Sequence, residues 1–320
     1  MTAAVPADAG TRLAAALDRL VPDGQLGIAV SGGPDSLALL LLAASARPGR
    51  VRAATVDHRL RPENADEATM VADLCAKLGV PHDILSLTVG QGASLQARAR
   101  EARYAALGEW AASHGLASVA TAHHADDQAE TLLMRLARGS GLGGLSGIRE
   151  RAEIGGCRVV RPLLQTRKAE LVEIVTDAGW TPVSDPANSD PRHERTRVRK
   201  LLAAVEWLDP QRLARSAAAL AEASEALDAA VEQARQRHLA PSADGMVLRD
   251  IPLLPREIRR RLLLAALAAF ETRPSGPELD RLLAALDEGR RATVGLAKVT
   301  PEAGGVWRIE LAPPRRQLHT

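Results

Sequence analysis

The chain has 320 residues, of which 46% are hydrophobic and 25% are charged, and its formal net charge is +2. This length and apolar content favour two domains with sizeable cores. The near balance of charge indicates no general affinity for nucleic acid, so any such surface has to be a local basic cluster. Aromatic residues make up only 2% of the chain, which argues against single-strand binding on a platform of several rings.

The cysteines and the apolar segments indicate the cellular compartment. Cys75 and Cys157 are far apart and form no Cys-x-x-Cys, which argues against a disulfide framework or a zinc knuckle and favours two buried thiols. The longest apolar segments, near residues 37–44 and 262–270, fall short of the ~20 residues of a membrane span. The N-terminal residues lack the pattern of a signal peptide. We therefore expect a soluble cytoplasmic protein with no membrane association.

In its first 140 residues the chain alternates short apolar segments with longer amphipathic ones. The spacing predicts strands at residues 26–30, 51–57, 82–87 and 117–122, and helices at residues 37–46, 64–78, 95–114 and 126–138. Strands that alternate with helices are typical of an α/β fold with a doubly wound, mostly parallel sheet. Ligands of such sheets bind beyond the carboxyl ends of the strands.

The remaining sequence predicts a hairpin and then a second, smaller domain. A hairpin that turns at Gly155-Gly156 is expected at residues 149–164, helices at 168–178 and 195–208, and a loop at 182–191. Beyond Pro210 the pattern predicts a long Ala-rich helix at 213–239, helices at 257–270 and 278–286, and strands at 246–249, 293–299 and 306–311. We predict a catalytic domain at residues 1–208 and a smaller, largely helical α+β domain, with its linker helix, at residues 209–320.

A glycine-rich loop follows the first predicted strand and opens a helix. Its residues are Ser31, Gly32, Gly33, Pro34, Asp35 and Ser36. Glycines let the backbone approach a ligand closely, and a helix N-terminus attracts phosphate. The loop has neither the Gly-Lys-Ser/Thr of a Walker A loop nor the Gly-x-Gly-x-x-Gly of a dinucleotide site. The simple alternative is a Gly-Pro turn, but two hydroxyls and an acid that suits Mg²⁺ favour a polyphosphate site.

Acidic residues follow two further strands at the same edge of the predicted sheet. Asp57 ends the second strand, where an adenosine would lie beside the glycine-rich loop; a solvated strand end is the alternative. Asp126, Asp127 and Glu130 begin the helix after the fourth strand, and their spacing places Glu130 on a face with either aspartate. They could cap the helix, but acids beside a triphosphate would more usefully hold Mg²⁺ or a cationic substrate such as a lysine ammonium.

Together these segments resemble the tRNA(Ile)-lysidine synthetase branch of the PP-loop, or N-type, ATP pyrophosphatases. The resemblance runs in order over roughly residues 25–200 and is looser beyond residue 213. It is carried by residues 31–36, 56–61, 121–131, 138–145, 161–164, 185–188 and 195–199. It implies an adenine nucleotide alpha hydrolase-like fold. It also implies that ATP adenylates C2 of the wobble cytidine of a CAU-anticodon tRNA(Ile), and that the ε-amine of free lysine then displaces AMP.

The motifs and the resemblance together imply roles for individual residues. ATP would be bound by Ser31, Gly32, Gly33, Pro34, Asp35, Ser36 and Asp57, and lysine by Asp127 and Glu130. The catalytic residues would be Asp35, Asp127, Arg195 and Arg199, with Asp35 and Asp126 as Mg²⁺ ligands. Thr196 stands where the family often has Asn, with the arginine spacing unchanged.

Two basic clusters are candidate RNA contacts, one in each predicted domain. From them we expect Arg192, Arg197, Lys200, Arg256 and Arg260 to bind tRNA. The alternative is two solvated helix faces. A homodimer is a further expectation.

Two other functions compete with this interpretation. A PP-loop tRNA thiolase would rely on cysteine pairs or an iron–sulfur cluster, but Cys75 and Cys157 fall in a predicted amphipathic helix and a hairpin strand. A non-catalytic nucleotide- or RNA-binding module would not require the acids and both loop serines. We therefore favour an ATP-dependent ligase.

Overall fold

A computed structural model describes residues 7–57, 64–87, 95–180 and 194–313. The chain divides into two compact units, Met1–Ala221 and Glu222–Thr320. The division falls inside a long helix, farther along the chain than residues 208 and 209, where we predicted the domain boundary. That boundary stays a prediction.

The first unit contains a six-stranded sheet with helices packed against it. Its strands are β1 (Gln25–Ala29), β2 (Val51–Asp57), β3 (His82–Ser86), β4 (Leu116–Ala120), β5 (Arg151–Ile154) and β6 (Cys157–Val160). Its helices are α1 (Ala7–Leu20), α2 (Pro34–Ala46), α3 (Asn64–Leu78), α4 (Leu95–Ser113), α5 (Ala125–Ala137), α6 (Leu142–Leu145), α7 (Lys168–Asp177) and α8 (Glu194–Ala204), followed by α9 (Pro210–His238), which continues into the second unit.

The strand order creates a crevice at one edge of the sheet. The order is β3-β2-β1-β4-β6-β5, and all neighbouring pairs are parallel except β5 with β6. The chain runs from β1 outward to β3 and then returns to place β4 on the other side of β1. Adjacent connections that leave in opposite directions open a ligand crevice between β1 and β4. The predicted α/β fold with a mostly parallel sheet is confirmed.

Helix α2 holds the glycine-rich loop in place because it is buried on every side. Residues 36–43 are all buried, and apolar side chains of α1, β1 and α7 join them in one core. A second cluster, which includes Tyr104, Leu107 and Trp110 of α4, packs with Val119 of β4 and Val159 of β6. The site is thus built on rigid elements of the core.

The second unit is a small antiparallel sheet covered by two helices. Its strands are β7 (Leu239–Ser242), β8 (Gly245–Leu248), β9 (Ala292–Val294), β10 (Ala297–Glu302) and β11 (Val306–Leu311), in the order β7-β8-β11-β10-β9, and its helices are α10 (Arg256–Ala268) and α11 (Gly276–Asp287). The single strand predicted at residues 293–299 is wrong. Gly295, with φ of +54°, reverses the chain there and separates β9 from β10.

Within the described residues, the helices are all too short or too polar to span a membrane.

Candidate active site

A cavity of about 290 Å³ opens at the carboxyl ends of β1, β2 and β4. It lies at the crevice that the strand order predicts. Six of the predicted site residues line it, namely Ser31, Gly33, Asp35, Ser36, Asp127 and Arg195. The topology therefore brings residues more than 150 positions apart in the sequence to one cavity.

The glycine-rich loop is braced by its own serines. The backbone N–H of Ser31 donates to Oγ of Ser36 at 3.0 Å, and the Ser36 hydroxyl donates to the carbonyl of Gly33 at 3.0 Å. Gly32 has φ of +75°, a conformation that favours glycine. Gly33 begins α2 without any side-chain cap, and Pro34 occupies its first turn. The open N-terminus of α2 therefore presents backbone donors and a positive dipole end to an anion.

Asp35 has an unsatisfied oxygen that fits a cation. Its Oδ1 atom is buried and has no hydrogen-bond partner among the described residues, while Oδ2 lies 3.5 Å from Nε2 of His124. An unpaired buried carboxylate oxygen is costly unless a cation or donor completes it. The side chain is therefore suited to ligate Mg²⁺ beside a bound triphosphate.

Asp127 and His124 form a reciprocal cap at the start of α5. The backbone N–H of His124 donates to Oδ2 of Asp127 at 3.2 Å, and the backbone N–H of Asp127 donates to Nδ1 of His124 at 3.4 Å. Asp127 also lines the cavity. This cap fixes the carboxylate at the cavity wall. Asp127 therefore caps the helix, as the simple alternative expected, and is also accessible to a ligand.

Asp126 faces a different set of partners. Nε and Nη2 of Arg167 each lie 3.3 Å from its carboxylate, and the backbone N–H of Lys168 donates to it at 2.8 Å. The side chain thereby ties the start of α5 to the start of α7. Its predicted role as a Mg²⁺ ligand stays a prediction. Among the described residues, no group of three or more His, Cys, Asp or Glu side chains is arranged to hold a metal ion.

Glu130 joins the predicted lysine site to the predicted catalytic arginines. Its side chain is only 3% exposed, Nε of Arg199 donates to its Oε1 at 2.6 Å, and Nε of Arg195 lies 2.8 Å from its Oε2. Burial disfavours the charge on Arg199, but the hydrogen bond and the charge of Glu130 outweigh it, so the pKa of Arg199 is raised. Thr196, which lies between these two arginines in the sequence, is buried.

The remaining predicted residues lie apart from the cavity or outside the described ranges. Asp57 ends β2 and is half-buried, but only its neighbour Val56 lines the cavity. Arg192 lies outside the described residues. Arg197 and Lys200 are exposed on α8. Their predicted roles stay predictions.

The basic cluster of the second unit is largely neutralised by acids of the same unit. Nη2 of Arg256 donates to Asp280 at 3.1 Å, and Arg260 lies 3.7 Å from both Glu257 and Asp280. Contacts of Arg256 and Arg260 with tRNA stay predictions, and these acids would reduce the positive potential that such contacts use.

The sequence analysis did not recognise that α4 contributes to the cavity. Arg100, Arg103 and Tyr104 line it, and the Arg100 guanidinium lies 4.9 Å from the centre of the Tyr104 ring. Their spacing of three and four residues places them on one helix face. Leu107, one turn farther on, is buried. Basic and apolar residues that share one helix face were therefore the signal that could have placed α4 at the cavity.

The two adjacent histidines differ in their protonation. Burial lowers the pKa of His123 to about 4, despite the nearby charge of Asp127. Burial also opposes protonation of His124, but the hydrogen bond to Asp35 and the charges of Asp127, Asp35 and Asp126 outweigh it, so the pKa of His124 is raised. The fold therefore favours the neutral form of His123, whereas the acids around His124 shift its equilibrium toward the protonated form.

This difference predicts opposite effects of pH on stability. A raised pKa in the fold means that His124 contributes fully below the ordinary value of about 6.5 and loses its contribution as pH rises through the folded pKa. The lowered pKa of His123 means that its contribution is present above about 6.5 and is lost as pH falls toward 4. We expect His124→Asn to cost more stability at the lower pH and His123→Asn at the higher, measured by urea unfolding. The same pH trend for both variants would contradict these assignments.

Comparisons with known proteins identify the family of the chain. The family model of the PP-loop domain matches residues 8–206. The chain is 48% identical over 313 residues to a tRNA(Ile)-lysidine synthase from Novosphingobium aromaticivorans, which covers 96% of this chain and 95% of the relative. It is 45% identical over 302 residues to the tRNA(Ile)-lysidine synthase of Zymomonas mobilis, covering 92% of this chain and 90% of the relative.

One solved structure supports the fold alone. The U34-tRNA thiolase NcsA from Methanococcus maripaludis, solved with its [4Fe-4S] cluster, superposes with a TM-score of 0.54 at 16% sequence identity. The match covers 67% of this chain and 78% of that chain. From the PP-loop match and the extensive identity to curated relatives, it follows that the chain belongs to the tRNA(Ile)-lysidine synthase family of PP-loop proteins.

Proposed function

We propose that the protein uses ATP to adenylate C2 of the wobble cytidine in a tRNA(Ile) with a CAU anticodon, and that free L-lysine then displaces AMP. The cytidine O2 attacks the α-phosphorus and releases pyrophosphate. The ε-amine of lysine attacks C2, and the oxygen leaves with AMP. The observation that carries this proposal is one cavity lined by the glycine-rich loop, by Asp35 with its unpaired oxygen, and by Arg195, which also contacts the buried Glu130.

Within this proposal the glycine-rich loop holds the pyrophosphate part of ATP. The N-terminus of α2 and the hydroxyls of Ser31 and Ser36 supply donors to the phosphate oxygens. Asp35 holds Mg²⁺, and its unsatisfied Oδ1 supports that role. When bound, the ion neutralises charge that develops on the leaving pyrophosphate. The protein contributes position and electrostatic stabilisation, which are the main requirements of phosphoryl chemistry.

Asp127 and Glu130 recognise the amino groups of lysine in this proposal. Asp127 stands at the cavity wall, whereas Glu130 is engaged by Arg195 and Arg199. An ammonium that binds Glu130 has to share the carboxylate with these arginines or displace them. Displacement would free two guanidinium groups for the phosphate of the adenylated cytidine, whose oxygens guanidinium binds well.

The thiolase alternative is not supported by the thiols. Both cysteines are buried, and burial raises the pKa of Cys75 to about 12 and that of Cys157 to about 11. The thiolate is the reactive and metal-binding form of cysteine, so neither side chain is suited to sulfur transfer or cluster binding. A cytoplasmic location, where tRNA and free lysine are available, and a homodimer remain part of the proposal.

Nucleotide products test the proposed reaction. With ATP and Mg²⁺, we expect sustained release of AMP and pyrophosphate only when tRNA and lysine are both present, measured by chromatography of labelled ATP. Without lysine, we expect pyrophosphate release to stop at about one equivalent per tRNA, because no amine displaces AMP from the adenylated tRNA. Formation of ADP, or AMP release that needs no tRNA, would contradict the proposal.

A further inference from the structure

One aromatic side chain of the first unit is exposed, and nothing within the unit explains it. All six aromatic residues of the chain lie in the described ranges. Tyr104, Trp110 and Trp307 are buried, and Trp180 and Phe270 pack against the cores. Trp207 is 78% exposed. A large exposed ring is costly in water and is common at binding surfaces.

Trp207 follows a basic helix face. Arg197, Lys200, Leu201 and Ala204 of α8 are all exposed, and their spacing of three, four and seven residues places them on one face of the helix. Helix α8 ends at Ala204, and Trp207 stands three residues later in a turn closed by the Leu208 N–H to the Val205 carbonyl at 3.0 Å. Three residues reach at most about 11 Å, so the backbone of Trp207 lies within about 11 Å of Ala204, at the end of this face.

The charges of this face are available to an anion. The ion pairs and hydrogen bonds found among the described residues include neither Arg197 nor Lys200, whereas Arg195 and Arg199 of the same helix turn toward Glu130. Helix α8 thus carries two pairs of cations. One pair contacts the carboxylate of Glu130, and the other pair, Arg197 and Lys200, is exposed to solvent. Glu206, which precedes Trp207 in the sequence, is an acidic residue of the turn.

We propose that Trp207 stacks on an unpaired base of the bound tRNA, while Arg197 and Lys200 contact the adjoining phosphates. Every base presents a π-face, and aromatic rings beside a positive surface are a usual means of binding unstacked RNA. The positive charge complements RNA rather than a second copy of a near-neutral chain. This inference rests on the proposed function. The low aromatic content argues against a platform of several rings, but the proposed contact requires only one ring.

Variants of Trp207 in the full chain separate stacking from simple apolar contact. We expect Trp207→Ala and Trp207→Leu to weaken binding of a CAU-anticodon tRNA by about 5- to 150-fold, and Trp207→Phe to retain most of the affinity. The KM for tRNA rises, while the KM for ATP and the thermal midpoint do not change. Ile84→Ala removes another exposed apolar side chain of the same unit and serves as the matched control, with no expected effect.

Salt dependence distinguishes the ring from the cations. Arg197→Ala is expected to reduce the slope of log affinity against log salt by about one, whereas Trp207→Ala leaves the slope unchanged because stacking releases no counterions.

Three results decide between this inference and its competitors. Equal tRNA affinity for the wild type, the Ala and the Leu variants would overturn it. A Trp207→Ala variant with normal tRNA affinity but altered self-association in sedimentation would assign the ring to a second copy of the chain instead, and would overturn it as well. If the wild type binds tRNA but transfers no lysine, the proposed function fails, and the binding comparison still reports on the ring.

Discussion

Replacement of Asp35 by Asn is expected to lower AMP release by about 100- to 1,000-fold, the usual cost of losing one electrostatic stabiliser of a transition state. The change keeps the shape of the side chain and removes its charge. Its Oδ1 atom is buried without a partner, so the proposed role is to hold a cation at the triphosphate. The affinity for tRNA should not change. Quenched-flow measurement of pyrophosphate release reports the adenylation step.

A second readout checks the geometry without reference to activity. Because the hydrogen bond to Asp35 helps to raise the pKa of His124, Asp35→Asn should lower that pKa in an NMR titration. Asp23→Asn is the matched control, since Asp23 is exposed and precedes β1 at the opposite end of the strand. Normal turnover by Asp35→Asn would show that the assigned role of this carboxylate is wrong.

Glu130→Gln is expected to raise the KM for lysine far more than the KM for ATP. The side chain is 3% exposed and carries two arginine contacts, so the loss of charge also leaves Arg195 and Arg199 without their anion. Removing one partner of a fully buried pair costs about 3–5 kcal/mol. Both arginines are partly exposed, so we expect about 1–3 kcal/mol of lost stability, the scale of a charged hydrogen bond. Urea unfolding and steady-state kinetics measure the two effects.

A double-mutant cycle separates the two roles of Glu130. Contacting side chains give coupling energies of about 0.5–3 kcal/mol, so the stability losses of Glu130→Gln and Arg199→Ala should be less than additive in the double variant. Glu153→Gln, on the edge strand β5, is the control for the loss of one carboxylate. An equal rise of the KM for lysine and for ATP would assign Glu130 to a purely structural or metal-binding role.

The parallel sheet and the phosphate loop were predictable because their signals are local. Alternation of apolar strands and amphipathic helices located β2 and α3 at their observed bounds, and the serine–glycine loop stands at the strand-to-helix turn where it was expected. The Gly155-Gly156 turn of the β5–β6 hairpin is also confirmed, since both glycines have positive φ. Such features depend on residues that are close together in the chain.

Partners that come from distant segments could not be predicted. Glu130 and Arg199 are 69 residues apart, and Asp126 and Arg167 are 41 apart, so no sequence spacing relates them. Helix spacing placed Glu130 on a face with Asp126 and Asp127, yet tertiary packing gave the three acids different partners. Helix α1 was also missed, although Leu13, Leu17 and Leu20, which pack it against the core, recur at the spacing of one helix face.

Transfer of labelled lysine to tRNA tests the central claim most directly. The purified protein is incubated with ATP, Mg²⁺, labelled L-lysine and a tRNA(Ile) with a CAU anticodon, and the tRNA is then digested to nucleosides. We predict that the label is found in one modified nucleoside derived from the wobble cytidine, and that a tRNA with uridine at that position takes up none. Absence of label in the CAU-anticodon tRNA, for protein that binds both ATP and this tRNA, would contradict the account.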